Sequence, residues 1–468
     1  MEFRIEEDSL GTHKVPADAY YGVQTVRAME NFQITGIPIS RFPLFIKAMA
    51  YVKRAAAKAN LELGILKPEI AEAVIKATYD VETGDLDDQF PIDVIQGGAG
   101  TSINMNMNEV LANRALEILG HNRGEYQHLS PLNHVNLSQS TNDVVPTAIR
   151  IACVWFAQRM IVSVRALSEA FLVKGDEFAD IITMGRTQMQ DAVPITLGAE
   201  FRSFGITVTE DIERLEEVTR LLCEVNLGGT AVGTGVNSVE GYSELACQRL
   251  AEMTGLPVRP AASLIEATSD AGAYVTLSGV LKRMVVKLSK ISNDLRLLSS
   301  GPHAGFNEIN LPKRQPGSSI MPGKVNPVIP EVMNQVAFQV IGNDLTVTFC
   351  AEAGQLQLNA FLPTICYNLF ESFEIIANGA ETLRRNCIEG ITANPERCLS
   401  YVRASMGIAT ALAPVLGYET AAGIVKEAEA TGKSIEGILE ERGLMTREKY
   451  QQLLDPTHML KPGKRGGN

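Results

Sequence analysis

Leu277-Ser278-Gly279-Val280-Leu281-Lys282-Arg283-Met284-Val285-Val286-Lys287-Leu288-Ser289-Lys290-Ile291-Ser292-Asn293-Asp294-Leu295-Arg296-Leu297-Leu298 is the stretch whose periodicity decides the fold. Large apolar residues stand at 277, 281, 284, 288, 291, 295 and 298, a spacing of 4,3,4,3,4,3. That is the seam of a long helix packed along other long helices. Upstream, Val144 to about Val173 is mostly apolar, with charges only at Arg150, Arg159, Arg165 and Glu169, which predicts a helix buried on most sides. Phe201, Phe204, Val208, Ile212, Leu215, Val218 and Leu222 repeat at three and four, and Val332 to Phe349 is largely apolar. Several such helices between about 142 and 390 predict a helix bundle. Their apolar content is more than one chain is expected to bury, so subunits should associate with the 277–298 seam in the oligomer core.

The flanks differ. Residues 1 to about 40 are broken by Gly11, Pro16, Gly22, Gly36 and Pro38, and a small β-hairpin fits there. Helices are expected from about Pro43 to Gly64 and from Pro68 to Glu82, each with a proline near its start. Beyond about Asn394 the segments shorten and gain charge, which reads as a small helical C-terminal domain with a mobile tail from Lys461 to Asn468.

The 468 residues are too many for one small core, so two or three domains are expected. Hydrophobic residues at 45% and charged residues at 21% describe an ordinary globular protein. A net charge of −12 argues against nucleic acid and against anionic membrane surfaces as partners, so attraction of any anionic ligand must be local. The seven cysteines are scattered, and no CxxC or Cys/His cluster occurs, which suits reduced thiols in the cytoplasm and no zinc site. The six histidines show no pair at ligand spacing. The acidic N-terminus has no apolar core of a secretion signal, and no window approaches an uncharged apolar run of about 18 residues.

Four polar clusters stand beside the long helices. Gln315-Pro316-Gly317-Ser318-Ser319-Ile320-Met321-Pro322-Gly323-Lys324-Val325-Asn326-Pro327 cannot continue a helix and feeds one. Unpaired N–H groups at a helix start, two hydroxyls and one ammonium suit a small anion, and the competing reading is a Pro/Gly-rich surface turn. Gln96-Gly97-Gly98-Ala99-Gly100-Thr101-Ser102 lacks P-loop and dinucleotide spacing; Thr101 is either a second hydroxyl donor or, with Ser102, a helix N-cap. Ser138-Gln139-Ser140-Thr141-Asn142-Asp143 taken alone is a capping segment. Gly185-Arg186-Thr187-Gln188-Met189-Gln190-Asp191-Ala192-Val193-Pro194 taken alone is a polar loop between helices.

Together these motifs, GSSIMPGKVNP at 317–327, GGAGTSINMN at 97–106, SQSTND at 138–143 and GRTQMQDAVP at 185–194, resemble the fumarase/aspartase superfamily over essentially the whole chain. Within it the chain is similar to aspartases more than to class II fumarases, through Pro327 to Val336 and Ala351 to Asn359. Position 188 points the same way. Fumarases carry His there, whereas aspartases carry His or Gln. Expelling hydroxide wants a general acid, but an ammonium leaves with its own proton, and Gln188 can hold an ammonium through its carbonyl without delivering a proton. Ala360-Phe361-Leu362-Pro363, Ala413 before Pro414, and Leu132 before Asn133-His134 depart from the usual aspartase pattern and put local packing or regulation in doubt.

The resemblance implies a mainly α, three-domain fold with a central long-helix bundle and about twenty helices in the core of a homotetramer. The corresponding divisions are 1–140, 141–395 and 396–468. It implies reversible anti elimination of ammonia from L-aspartate to give fumarate, by a cytoplasmic enzyme without metal or organic cofactor. Ser318 would be the base. Thr101, Ser140, Thr141 and Ser319 would bind the β-carboxylate, Lys324 and Asn326 with Thr187 the α-carboxylate, and Asn142 and Gln188 the amino group. Three subunits would contribute to each site. The alternatives are a class II fumarase and a non-catalytic member, as with lens crystallins.

Overall fold

In the computed structural model, which describes residues 2–405 and 409–453, the chain opens with the expected hairpin of β1 (Phe3–Asp8) and β2 (Gly11–Pro16). Gly11 closes its turn with φ +110, a region L side chains rarely adopt. Next come α1 (Val23–Asn31), α2 (Pro43–Glu62), α3 (Pro68–Glu82) and α4 (Thr101–Ile118). Proline stands at the first position of α2 and α3, where its missing N–H removes no helical bond. The expected stripe of α2, Phe45, Met49, Val52, Ala56 and Ala59, is buried.

α5 (Thr141–Glu177) runs 37 residues. Pro146 lies inside it and has no N–H for the carbonyl of Asn142, four residues back. That carbonyl instead accepts Asn226 Nδ2 at 2.8 Å, so the proline turns a helical carbonyl into an anchor for the glycine-rich segment after 226. α5 holds one 18-residue window that by length and composition could cross a bilayer, but Arg150, Arg159 and Arg165 leave no uncharged run of that length, as expected. Within the chain 67% of that window is buried, as in a core helix.

β3 (Ile182–Thr187) and β4 (Gln190–Thr196) form an antiparallel hairpin where the polar composition of 185–194 had suggested a loop between helices. The β-branched residues Ile182, Thr183, Val193, Ile195 and Thr196 favour strands, and the exposed polar residues between them mask the signal. α6 (Leu197–Thr219) follows, then α7 (Tyr242–Thr254), α8 (Leu264–Ser269), α9 (Gly272–Leu298), α10 (Val328–Glu352) and α11 (Leu362–Asn386).

The seam of α9 also needs correction. Leu277, Leu281, Met284, Leu288, Ile291, Leu295 and Leu298 are all buried by the chain itself, so this stripe is not left over for an oligomer core. The uncovered apolar face lies on α10, where Phe338 (64% exposed), Leu345 (56%) and Phe349 (63%), with Ile341, repeat at helical spacing. A largely apolar helix shows no seam in its sequence, so the apolar run from Val332 to Phe349 does not disclose which of its faces stays uncovered.

The C-terminal segments α12 (Pro395–Ala404), α13 (Ala409–Leu416), α14 (Tyr418–Thr431), α15 (Ile435–Glu441) and α16 (Arg447–Leu453) are short, as expected. Val402, Leu412, Ile424, Ala428, Ile438 and Leu439 form their core together with Met184 of β3. The tail from Lys461 and His458 lie outside the described residues. The chain divides into two compact units: Met1–Ile161, Glu213–Arg283 and Phe338–Ile376 form one, and Val162–Ile212, Met284–Ala337 and Ala377–Asn468 the other.

Candidate active site

In the first unit, Thr101 opens α4. Gly100 takes the N-cap with φ +91, so neither Thr101 nor Ser102 caps the helix. Thr101 Oγ1 donates to Gly98 O at 2.8 Å from an exposed side chain. A Cβ on Gly100 would stand 2.9 Å from Val145 Cγ1, so the missing side chain lets the start of α4 rest on the start of α5. There, Ser140 N donates to Asp143 Oδ1 at 3.0 Å and Asn142 N to Ser140 Oγ at 3.2 Å. The capping reading of this cluster therefore holds, and capping also sets the positions of Ser140, Thr141 and Asn142. Asn142 Nδ2 donates to Ala231 O at 2.7 Å.

Two residues with no role assigned from the sequence hold this turn. Asp143 is fully buried, and its Oδ2 accepts from Gly228 N at 3.1 Å and Thr230 N at 2.9 Å. It thereby joins the 138–143 turn to the glycine-rich segment. Burial pushes its carboxyl up to about 6, against the pull of the backbone donors and of Lys53. Lys53, on α2, is also fully buried; its Nζ donates to Asn136 Oδ1 at 3.1 Å and Gln139 Oε1 at 2.9 Å. Asn104 Nδ2 and Asn108 Nδ2 donate to the same Asn136 oxygen, each at 3.0 Å. Burial pushes the Lys53 ammonium down to about 7. The available signal was a Lys-Arg pair inside the alanine-rich run Ala48 to Ala59, where a charge can only be buried or misplaced.

In the second unit, the 315–327 loop closes on its own backbone. Gly317 N donates to Lys324 O at 2.8 Å, and Asn326 Nδ2 donates to Gly317 O at 2.8 Å. A Cβ on Gly317 would meet Lys324 O at 2.5 Å, so only glycine permits this latch. Inside the loop, Ile320 N and Met321 N both donate to Ser318 Oγ, at 3.2 and 3.1 Å. Ser318 and Asn326 are half-buried, while Ser319 and Lys324 are exposed. Among the described residues, Lys324 Nζ has no hydrogen bond or ion pair.

Thr187 and Gln188 sit at the exposed tip of the β3–β4 hairpin. Gln188 and Met189 form its two-residue turn with φ +54 and +64, strained values for residues other than glycine. A cleft of about 550 Å³ lies beside the tip, lined among others by Arg186, Gln188, Glu200, Lys290 and Asp294. Burial, with the charges of Asp294 and Glu308, pushes the Glu200 carboxyl up to about 7. The cleft takes Gln188 into its wall and none of Ser318, Ser319, Lys324 or Asn326. Thr101, Ser140, Thr141 and Asn142 thus belong to the first unit, and the other predicted residues belong to two separate elements of the second.

The sequence family described as Lyase matches residues 11–342, and that described as Fumarase C C-terminus matches 408–461. Aspartate ammonia-lyases of Pseudomonas aeruginosa and Escherichia coli are each 55% identical over 460 residues, spanning 98% of this chain and 97% and 96% of those proteins. That of Helicobacter pylori is 54% identical over 98% of both chains. A crystal structure described as fumarate lyase:delta crystallin from Brucella melitensis, bound to cobalt, superposes with a TM-score of 0.96 at 52% identity, covering 98% of this chain and 100% of that one. A class II fumarase from Schistosoma mansoni gives 0.89 at 35% identity, over 98% and 99%. The helix-bundle fold, the motifs and these similarities agree, and the chain belongs to the fumarase/aspartase superfamily, among its aspartate ammonia-lyases.

Proposed function

We propose that Ser318 is the base with which this carbon–nitrogen lyase removes the Cβ proton of L-aspartate. The observation that carries the reading is the pair of N–H groups, Ile320 and Met321, aimed at Ser318 Oγ. A serine is a poor base unless its alkoxide is stabilised, and donors fixed by the backbone favour the charged form. Lys324, in the same loop, adds positive charge.

Proton removal beside a carboxylate gives a dianionic aci-carboxylate, so donors must stand where that charge develops. Thr101, Ser140, Thr141 and Ser319 are assigned to the β-carboxylate; losing one such donor costs about 10²–10³ in rate by analogy with oxyanion holes. Lys324, Asn326 and Thr187 take the α-carboxylate. Asn142 and Gln188 hold the substrate ammonium; its nitrogen takes the C–N bonding pair and departs as ammonia on the face opposite the base, so no general acid is needed. In the reverse direction the same groups add ammonia to fumarate. No metal or organic cofactor enters this scheme. Closure of the 315–327 loop over substrate would exclude water.

The site residues lie on separate elements, and the exposed face of α10 invites another copy. Both features support a homotetramer whose sites draw on three subunits, with about twenty helices at its core. We retain the division into 1–140, 141–395 and 396–468 as the domain reading. Seven free cysteines, six of them buried, fit a cytoplasmic enzyme.

The test is fumarate formation from L-aspartate, followed in the ultraviolet. Ser318→Ala should form the same oligomer and turn over about 10³-fold more slowly. Retention of more than about a tenth of wild-type turnover removes Ser318 from the role of base. Light scattering should show four chains, and an active monomer would end the composite-site reading.

A further inference from the structure

Residues 119–130, which lead out of α4, carry a cluster that the proposed chemistry does not use. His121, Glu125 and His128 each offer one ligand atom, and these atoms all lie within 4.8 Å of one another. No helix produces this meeting, so the spacing showed nothing in the sequence. Tight turns do it: Glu125 N donates to Asn122 O at 3.3 Å, and His128 N to Glu125 O at 3.0 Å. The two imidazoles stack with centroids 3.9 Å apart and planes 5° from parallel, and His121 Nδ1 lies 3.7 Å from Glu125 Oε2.

The cluster rests on a fixed base. Gly124 N donates to Asn113 Oδ1 at 2.8 Å, and Asn113 Nδ2 donates to Tyr126 Oη at 3.0 Å. Tyr126 Oη in turn donates to Glu6 Oε1 at 3.1 Å. The carboxylate is oriented too: Asn122 N reaches Glu125 Oε2 at 3.0 Å, and Asn122 Nδ2 reaches Oε1 at 3.1 Å. His128 is exposed and can turn its ring out of the stack to aim a lone pair at a shared centre.

We propose that His121, Glu125 and His128 bind one divalent cation of the zinc or nickel class, with water completing its coordination and Asn122 orienting the carboxylate ligand. Two imidazoles and one carboxylate suit late first-row metals, whereas magnesium and calcium prefer sites built from oxygen. The ion would clamp the connector between α4 and the turn at Pro131–Val135.

The experiment is a calorimetric titration of the full chain, stripped with a chelator, with zinc sulfate in a non-chelating buffer. One zinc ion per chain should bind, and millimolar magnesium should not displace it. Asn122→Ala should weaken binding about tenfold, as loss of a group orienting a ligand does. His121→Ala/His128→Ala should abolish it while leaving turnover of L-aspartate without zinc intact, which shows that the variant is folded. Zinc that binds the double variant as tightly as the wild type would sit on other groups, such as the free cysteines, and would overturn the proposal. So would the absence of a one-to-one site in the wild type. Displacement by magnesium would overturn the metal class.

Discussion

The turn at 138–143 and the loop at 315–327 both present small hydroxyls, and they are held in opposite ways. The turn is fastened from behind by buried charge, with Asp143 and Lys53 fully enclosed among Asn104, Asn108, Asn136 and Gln139. The loop is latched to itself, through Gly317, Lys324 and Asn326, and Ile320 at its tip is 83% exposed. A turn tied to buried ionisable groups cannot move without disturbing the fold. A loop latched by two backbone-directed bonds can open at little cost. Under the proposed assignments, the fixed turn would receive one carboxylate, and the mobile loop would carry the base Ser318 and the Lys324 ammonium.

Several experiments bear on this contrast, beginning with the largest effect. Lys324→Ile should lower kcat/KM for L-aspartate about 10²–10³-fold, because it strands a desolvated carboxylate in the closed loop. The damage should be smaller for addition of ammonia to a monocarboxylic acceptor, which has no second carboxylate to strand. Gln188→Ala serves as the control. A neutral amide holding an ammonium is worth about 1.5–3 kcal/mol, so this variant should be the milder of the two. If it proves the more damaging, Lys324 does not hold the α-carboxylate.

Gly317→Ala tests the latch itself. The new Cβ would meet Lys324 O at 2.5 Å and Asn326 N at 2.9 Å, both backbone atoms, so the loop must shift. A misplacement of that size should cost about 10²-fold in kcat, with the thermal midpoint almost unchanged. A large fall in stability instead would show that the loop is as tightly coupled to the fold as the turn.

The remaining effect is read in stability rather than in rate, and it is the most diagnostic of the turn. Burial holds Lys53 at about 7 against an ordinary 10.5, so between those pH values the unfolded chain binds a proton that the folded chain has released. Stability contributed by this group therefore rises with pH across that window, by up to about 1.4 kcal/mol per pH unit. Urea unfolding of the wild type and of Lys53→Met should diverge in this sense from pH 7 toward pH 10. Parallel curves would mean that Lys53 keeps its proton in the folded chain.

Local features were legible in the sequence wherever one segment carried its own signal. The prolines opening α2 and α3, the turn at Gly11 and the stripe of α9 all depend on residues a few positions apart. The motif at 317–327 marked a loop in the same way, since proline and glycine act on their own backbone. Features that depend on distant partners were not legible. The 185–194 segment became a hairpin through pairing across Gln188 and Met189, and the lysine on α2 acquired meaning only beside Asn136 and Gln139.

The sequence by itself determined that long apolar helices form a bundle, that four polar clusters stand beside them, and what chemistry those clusters can support. These follow from helical period, turn residues and functional groups, which are local properties of the chain. The tertiary structure alone decided which apolar face stays uncovered, α10 and not the α9 seam, and that Asp143 and Lys53 lie behind the hydroxyls. It alone brought His121, Glu125 and His128 to one place. The physical reason is common to all three: burial and convergence are set by what packs against a residue, and no periodicity within one helix records its neighbours.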